Sequence, residues 1–173
     1  MERDMTSVLD GWISVEVPAS VANSQLGQAH AYKLKRVIVA DDDENIIELF
    51  KRGLRRECRL SWAEDGYETV ERVATLPAAD LVILDWNMPG LNGLKALKTI
   101  EMMTKTDPHL GEIWEGRRIP YVICSVKAPE EIEVPPLEHF YLVDYWQKPL
   151  MVKELKQKLD EVFNRIKGGA PCN

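Results

Sequence analysis

The 173-residue chain is poor in cysteine, and its three cysteines, Cys58, Cys124 and Cys172, are scattered without any CxxC pair. That spacing excludes a disulfide framework and a structural zinc site, and it fits a reducing cytoplasm. No apolar run approaches the roughly 18 residues that a membrane-spanning helix needs. The opening Met1-Glu2-Arg3-Asp4 lacks the basic-then-apolar layout of a signal peptide. Basic charge is also short: 22 Lys and Arg face 28 Asp and Glu, a formal charge of -6. Nucleic acid is therefore disfavoured as a direct partner, because neutralising phosphates wants a basic face. Internal repeats and low-complexity tracts are missing too. What remains is 45% hydrophobic and 29% charged residues, the composition of a globular chain long enough to bury a core without staples.

The first 34 residues differ from the rest of the chain. They are rich in Ala and Ser, with four of each, and hold one alternating stretch, Ile13-Ser14-Val15-Glu16-Val17, closed by Pro18. It reads either as an edge strand or as part of a loosely ordered arm. From Lys35 the pattern becomes regular. Arg36 to Ala40, Leu60 to Ala63, Leu81 to Asp85, Tyr121 to Cys124 and Tyr141 to Trp146 read as five strands. Between and after them, helical spacing places Ile46, Phe50 and Leu54 on one helix, and Tyr67, Val70, Val73 and Ala74 on a second. Leu94, Leu97 and Ile100 mark a third, and Leu155, Leu159, Val162, Phe163 and Ile166 a last one, stopped by Gly168-Gly169. Strands that are apolar throughout and alternate with helices predict a three-layer α/β fold, a doubly wound, five-stranded parallel sheet of flavodoxin-like type. In such sheets ligands sit beyond the carboxyl ends of the strands.

Those ends carry the chemistry. Asp41 and Asp42 follow the first strand and Asp85 ends the third, so three carboxylates converge at one edge. Like charges held close either raise a pKa or recruit a cation, and all-oxygen ligands suit magnesium. Asp43 reads as a helix N-terminal acid. Ser125 follows the fourth strand, and Lys148 follows the fifth, directly before Pro149. A hydroxyl and an ammonium aimed at a carboxylate make sense if a phosphoryl group will sit there.

The segments Val37-Ile38-Val39-Ala40-Asp41-Asp42-Asp43, Asp80 to Gly90 and Tyr145-Trp146-Gln147-Lys148-Pro149 together resemble the receiver domain of two-component response regulators, the CheY-like family. The resemblance covers residues 35–167, leaving 1–34 as an extension and 168–173 as a tail. It implies that Asp85 accepts a phosphoryl group from a sensor histidine kinase or phosphotransfer protein. Asp41, Asp42, Asp85 and the backbone carbonyl of Asn87 would hold Mg2+. Ser125 and Lys148 would bind the phosphoryl group, Ser125 and Tyr145 would act as the switch pair, and the bond before Pro149 would be cis. It further implies a cytoplasmic signalling domain rather than an enzyme, beyond its own magnesium-dependent phosphorylation and dephosphorylation. Output would pass to a downstream protein partner, with neither nucleic acid nor membrane contacted directly, because only six residues follow residue 167.

Two alternatives belong beside this reading. One is a magnesium-dependent phosphohydrolase with an aspartyl nucleophile, which wants a second acid two residues after the nucleophile, where this chain has Asn87. The other is a degenerate receiver used as a scaffold. Three departures from the family pattern stand out. Val126 replaces a smaller residue after the switch serine and is expected to narrow access to Asp85. Residues 102–118 are longer than usual, with Trp114 and the pair Arg117-Arg118. Pro129, Pro135 and Pro136 fall where a helix between the last two strands should run, which predicts a short, displaced or missing helix. The cluster Lys51, Arg52, Arg55, Arg56 and Arg59 reads as the solvated face of the first helix, balanced in part by Glu48 and Glu57, with kinase contact as a secondary reading.

Overall fold

In the computed structural model residues 34–75 and 79–169 are described. The alternating stretch Ile13 to Val17 lies outside them. The described chain runs β1 (Lys35–Ala40), α1 (Glu44–Leu54), β2 (Cys58–Ala63), α2 (Gly66–Thr75), β3 (Leu81–Asp85), α3 (Gly93–Thr106), α4 (Pro108–Trp114), β4 (Ile119–Ser125), a 3-10 turn (Pro129–Glu131), β5 (Phe140–Gln147) and α5 (Val152–Gly168). Strands β3 and β4 are buried at every residue, which is why their sequences show apolar runs instead of alternation. All pairings are parallel, in the order β2-β1-β3-β4-β5. The chain reverses direction across the sheet between β1 and β3, so a crevice opens at their carboxyl ends.

Helices cover both faces, giving the flavodoxin-like three-layer arrangement. Ile47, Phe50 and Leu54 of α1 and Leu155, Leu159 and Val162 of α5 close over one face. Val73, Leu97, Ile100 and Trp114, from α2, α3 and α4, close over the other. Phe50 and Leu54 of α1 lie in the core as expected, while Ile47 takes the position expected of Ile46, which is half-buried. On α2 Val73 and Ala74 are buried as expected, together with Gly66 and Thr69, whereas Tyr67 is 69% exposed and Val70 half-buried.

The long segment after the third helix forms α4. Asp107 ends α3 and caps α4, its Oδ1 accepting from the amides of His109 (2.9 Å) and Leu110 (3.3 Å). This extra turn places Trp114 fully buried between His139 and Phe140, each 5.5 Å away between ring centroids. Beyond β4 the prolines do prevent a regular helix. The chain makes one 3-10 turn and then runs extended, with Ile132, Val134 and Leu137 half-buried against the same core as Trp114. The spacing of two between Ile132 and Val134 reflects that extended backbone. At the far end, α5 stops on Gly169, whose φ of 69° is left-handed and whose amide donates to the carbonyls of Arg165 and Ile166.

Candidate functional site

The site grows from four strand ends. The amide of Asp41 donates to the carbonyl of Ala63 at 3.0 Å, continuing the β1–β2 pairing one residue past the strand. This fixes Asp41 pointing into the edge, where it is 1% exposed, while Asp42 turns to solvent. Asp41 Oδ1 accepts from the amide of Asp43 at 3.1 Å. Asp43 itself caps α1, its Oδ1 accepting from the amide of Asn45 at 2.9 Å, and that hydrogen bond holds its carboxyl below the usual range. Asp85 closes β3 and is buried, its Oδ1 accepting from the amide of Asn87 at 3.2 Å. Close approach of α3 depends on Gly93: a Cβ there would lie 2.3 Å from the Asp85 carbonyl oxygen and 2.6 Å from Leu84 Cγ.

Ser125 ends β4, fully buried, and Lys148 follows β5. The amide of Lys148 donates to the carbonyl of Ser125 at 2.8 Å, which ties the two strand ends together. The Lys148–Pro149 peptide bond is cis. Lys148 Nζ then reaches Asp41 Oδ2 at 2.8 Å and Asp85 Oδ2 at 3.2 Å. Ser125 Oγ accepts from the amide of Lys127 at 3.2 Å, and the Lys127 carbonyl accepts from the hydroxyl of Tyr145. One residue, Lys127, therefore links the two expected switch side chains. Val126, beside them, is 66% exposed.

Burial pushes the Asp41 carboxyl up to about 6, against the opposing pull of Lys148. For Lys148 burial acts to lower the pKa, but the hydrogen bond and charge of Asp41 and the charge of Asp85 outweigh it and hold the ammonium above its ordinary value. Both directions describe a tight buried pair, Asp41 with Lys148. Cys124, next to Ser125 in β4, is pushed up to about 12 by burial and is an inert thiol at neutral pH.

One carboxylate oxygen each from Asp41, Asp42 and Asp85 lie within 4.8 Å of one another. Two of these groups are buried beside a single ammonium, so negative charge is left over at the edge. An all-oxygen set with surplus negative charge fits a hard divalent cation such as Mg2+. The sequence singled out Asp41, Asp42, Asp85, Ser125, Lys148 and Tyr145 as one group, and the strand ends bring all six to the same edge, with exposed Asn87 next to Asp85. It missed the carbonyl of Lys127 and the groups that fix Tyr145, because no local pattern marks a backbone acceptor or a contact 18 residues away. Among the described residues no helix is long and apolar enough to cross a membrane.

Comparison with known proteins agrees with this geometry. Residues 37–160 match the family model described as the response regulator receiver domain. The phosphate regulon transcriptional regulatory protein PhoB of Klebsiella pneumoniae is 29% identical over 132 residues, covering 76% of this chain and 53% of that protein. The chain thus spans about half the length of that relative. The chemotaxis protein CheY-3 of Vibrio cholerae is 25% identical over 136 residues, 78% of this chain and 95% of its own. Among solved structures, the CheX–CheY–BeF3–Mg complex of Borrelia burgdorferi superposes with a TM-score of 0.54 at 19% identity, covering 78% of this chain and 93% of that one. The response regulator domain of Thermotoga maritima CheB gives 0.52 at 21% identity, covering 76% and 96%.

Proposed function

This chain belongs to the CheY-like receiver domain family of two-component response regulators, and from that premise we propose that it accepts a phosphoryl group on Asp85 from a histidine kinase or phosphotransfer protein. The receiver unit would be residues 35–167, with 1–34 as an arm and 168–173 as a tail. The observation that carries the reading is Lys148 Nζ held 3.2 Å from Asp85 and 2.8 Å from Asp41 at the sheet edge. An ammonium placed there can follow negative charge from the resting carboxylates to an incoming phosphoryl group.

In the proposed step an Asp85 carboxylate oxygen bonds to the phosphorus of a phosphohistidine. The phosphorus–nitrogen bond breaks, its electron pair stays on the imidazole, and that ring takes up a proton. Mg2+ bound by Asp41, Asp42, Asp85 and the Asn87 carbonyl would supply charge neutralisation at the phosphoryl oxygens. Ser125 accepts a hydrogen bond from the Lys127 amide, and its hydroxyl proton would be donated to the phosphoryl group. Any shift of Ser125 then pulls on Lys127, to whose carbonyl Tyr145 is attached. Output would pass to a protein partner. The extended strip at 132–137 offers no helix to grip, which favours the arm or residues 102–118 as the contact surface.

Intact-mass measurement after incubation with Mg2+ and acetyl phosphate tests the chemistry. One added phosphoryl group is expected, dependent on magnesium and lost in Asp85→Ala. A modified Asp85→Ala protein, or wild type unmodified by acetyl phosphate and by every candidate kinase, would contradict the proposal. Sustained turnover of small phosphoesters would point instead to a phosphohydrolase.

A further inference from the structure

Strand β5 carries an irregularity that phosphoryl chemistry alone does not require. Its register against β4 runs Tyr121↔Leu142 and then Val122↔Asp144, so Val143 is an extra residue without a partner of its own. Such bulges are rare between parallel strands, and where they occur they re-aim side chains. Strict alternation would place Phe140, Leu142, Asp144 and Trp146 on one face, and Tyr141, Val143 and Tyr145 on the other. The observed division is different. Phe140, Leu142 and Tyr145 face the core beneath α2, α3 and α4, whereas Tyr141, Val143 and Trp146 face the core beneath α1 and α5. The extra residue reverses the phase halfway along the strand. The first half can then bury Phe140 against Trp114, while the second half sends Tyr145 to Lys127.

A strand with two phases needs a lock, because a slip of one residue exchanges its faces. Asp144 has the contacts of one. Its Oδ1 accepts from the amide of Tyr145 at 2.8 Å and lies 2.9 Å from Arg165 Nη1, and its Oδ2 accepts from the indole Nε1 of Trp146 at 3.2 Å. Arg165, reaching across from α5, also donates to the carbonyl of Val143 at 3.4 Å. The guanidinium thus spans both residues of the bulge, and Trp146 is itself stacked on Phe50 with centroids 6.2 Å apart.

We propose that Asp144, held by Arg165, is a positioning residue that sets which face of β5 carries Tyr145 and so delivers the Tyr145 hydroxyl to the Lys127 carbonyl beside Ser125. Its relevance to signalling rests on the proposed role of Tyr145 as a switch. Its effect on the resting protein does not. Fluorine NMR of the full chain labelled with fluorotyrosine tests it, with Tyr145→Phe identifying the Tyr145 signal. In resting Asp144→Ala that signal moves or broadens, and in Arg165→Gln it does so to a smaller extent. Asp144→Asn, which keeps an acceptor for the Tyr145 amide, retains most of the wild-type signal and guards against a variant that fails to fold. Phosphorylation of Asp85 by acetyl phosphate stays at the wild-type yield in all three, which a general loss of structure would not allow. A Tyr145 signal unchanged in both Asp144→Ala and Arg165→Gln overturns the proposal, as does equal loss in Asp144→Asn and Asp144→Ala. If the wild-type signal ignores beryllofluoride and Mg2+, the switch reading fails, while the resting signals still decide the role of Asp144.

Discussion

Lys148 sits nearer to Asp41 than to Asp85, its Nζ 2.8 Å from the first carboxylate and 3.2 Å from the second. The ammonium is therefore engaged chiefly by a residue other than the expected acceptor, and that residue is the more deeply buried of the two. Burial without full compensation is costly, and the cost appears in how Asp41 holds its proton.

Asp41 titrates at about 6 in the folded chain against an ordinary 3.8, so the folded state binds this proton more tightly than the unfolded state. The stabilisation from that proton is fully present below the lower value and is lost as pH rises through about 6. The loss is on the order of 3 kcal/mol. In metal-free urea melts, wild type should lose stability relative to Asp41→Asn across this window. Lys148→Met, which removes the opposing cation, should carry the loss to higher pH. A difference between wild type and Asp41→Asn that stays flat would contradict the burial argument.

Magnesium should stabilise the fold. A ligand bound only by the native state adds about 1.4 kcal/mol at ten times its dissociation constant, which for a chain of this size is about 4 °C in Tm. Asp85→Asn, which removes one of the clustered charges, should raise Tm in the absence of metal and blunt the magnesium response. Differential scanning calorimetry with and without millimolar Mg2+ reads both effects, and an unresponsive wild type would argue against an assembled metal site.

Two buried tryptophans should respond differently to the same substitution. Among the described residues Trp114 Nε1 has no hydrogen-bond partner, whereas Trp146 Nε1 donates to Asp144. Trp114→Ala should cost about 3–5 kcal/mol as a large core truncation. Trp114→Phe forfeits volume only, so Trp146→Phe should be the more damaging of the two phenylalanine variants by about 1 kcal/mol, the net worth of a typical hydrogen bond. Chemical denaturation of the three variants settles the order.

Hydrogen exchange should separate the strip between β4 and β5 from its surroundings. The amide of Ile132 is bonded to the Pro129 carbonyl and that of His139 to Glu101 Oε1 at 2.7 Å, while among the described residues no acceptor meets the amides of Glu133, Val134 and Leu137. Those three should exchange fast. On addition of a phosphoryl mimic, protection should change in the amino-terminal arm or in residues 102–118. Strong protection at 133–137, with the response confined there, would overturn the proposed output surface.

The sequence by itself determined the fold class and the membership of the site. Both rest on local regularities. The apolar runs Val37 to Ala40 and Leu81 to Leu84 announce buried parallel strands, and a residue at a strand's carboxyl end must lie at the ligand edge whatever the rest of the chain does. Prolines at 129, 135 and 136 likewise forbid a regular helix through their own geometry. Tertiary structure decided everything that depends on phase or partner. On α1 one core position fell to Ile47 and not to Ile46, since the two are equally apolar and only the sheet beneath chooses between them. A packing role for Trp114 fits its residue type, but its partners His139 and Phe140 were set by where α4 lies. The orientation of Tyr145 depends on a bulge at Val143, held by Asp144 with Arg165. Alternation along a strand is a local property, but where its phase reverses is set by pairing with β4 and by a charge on α5 that lies 21 residues beyond Asp144 in sequence.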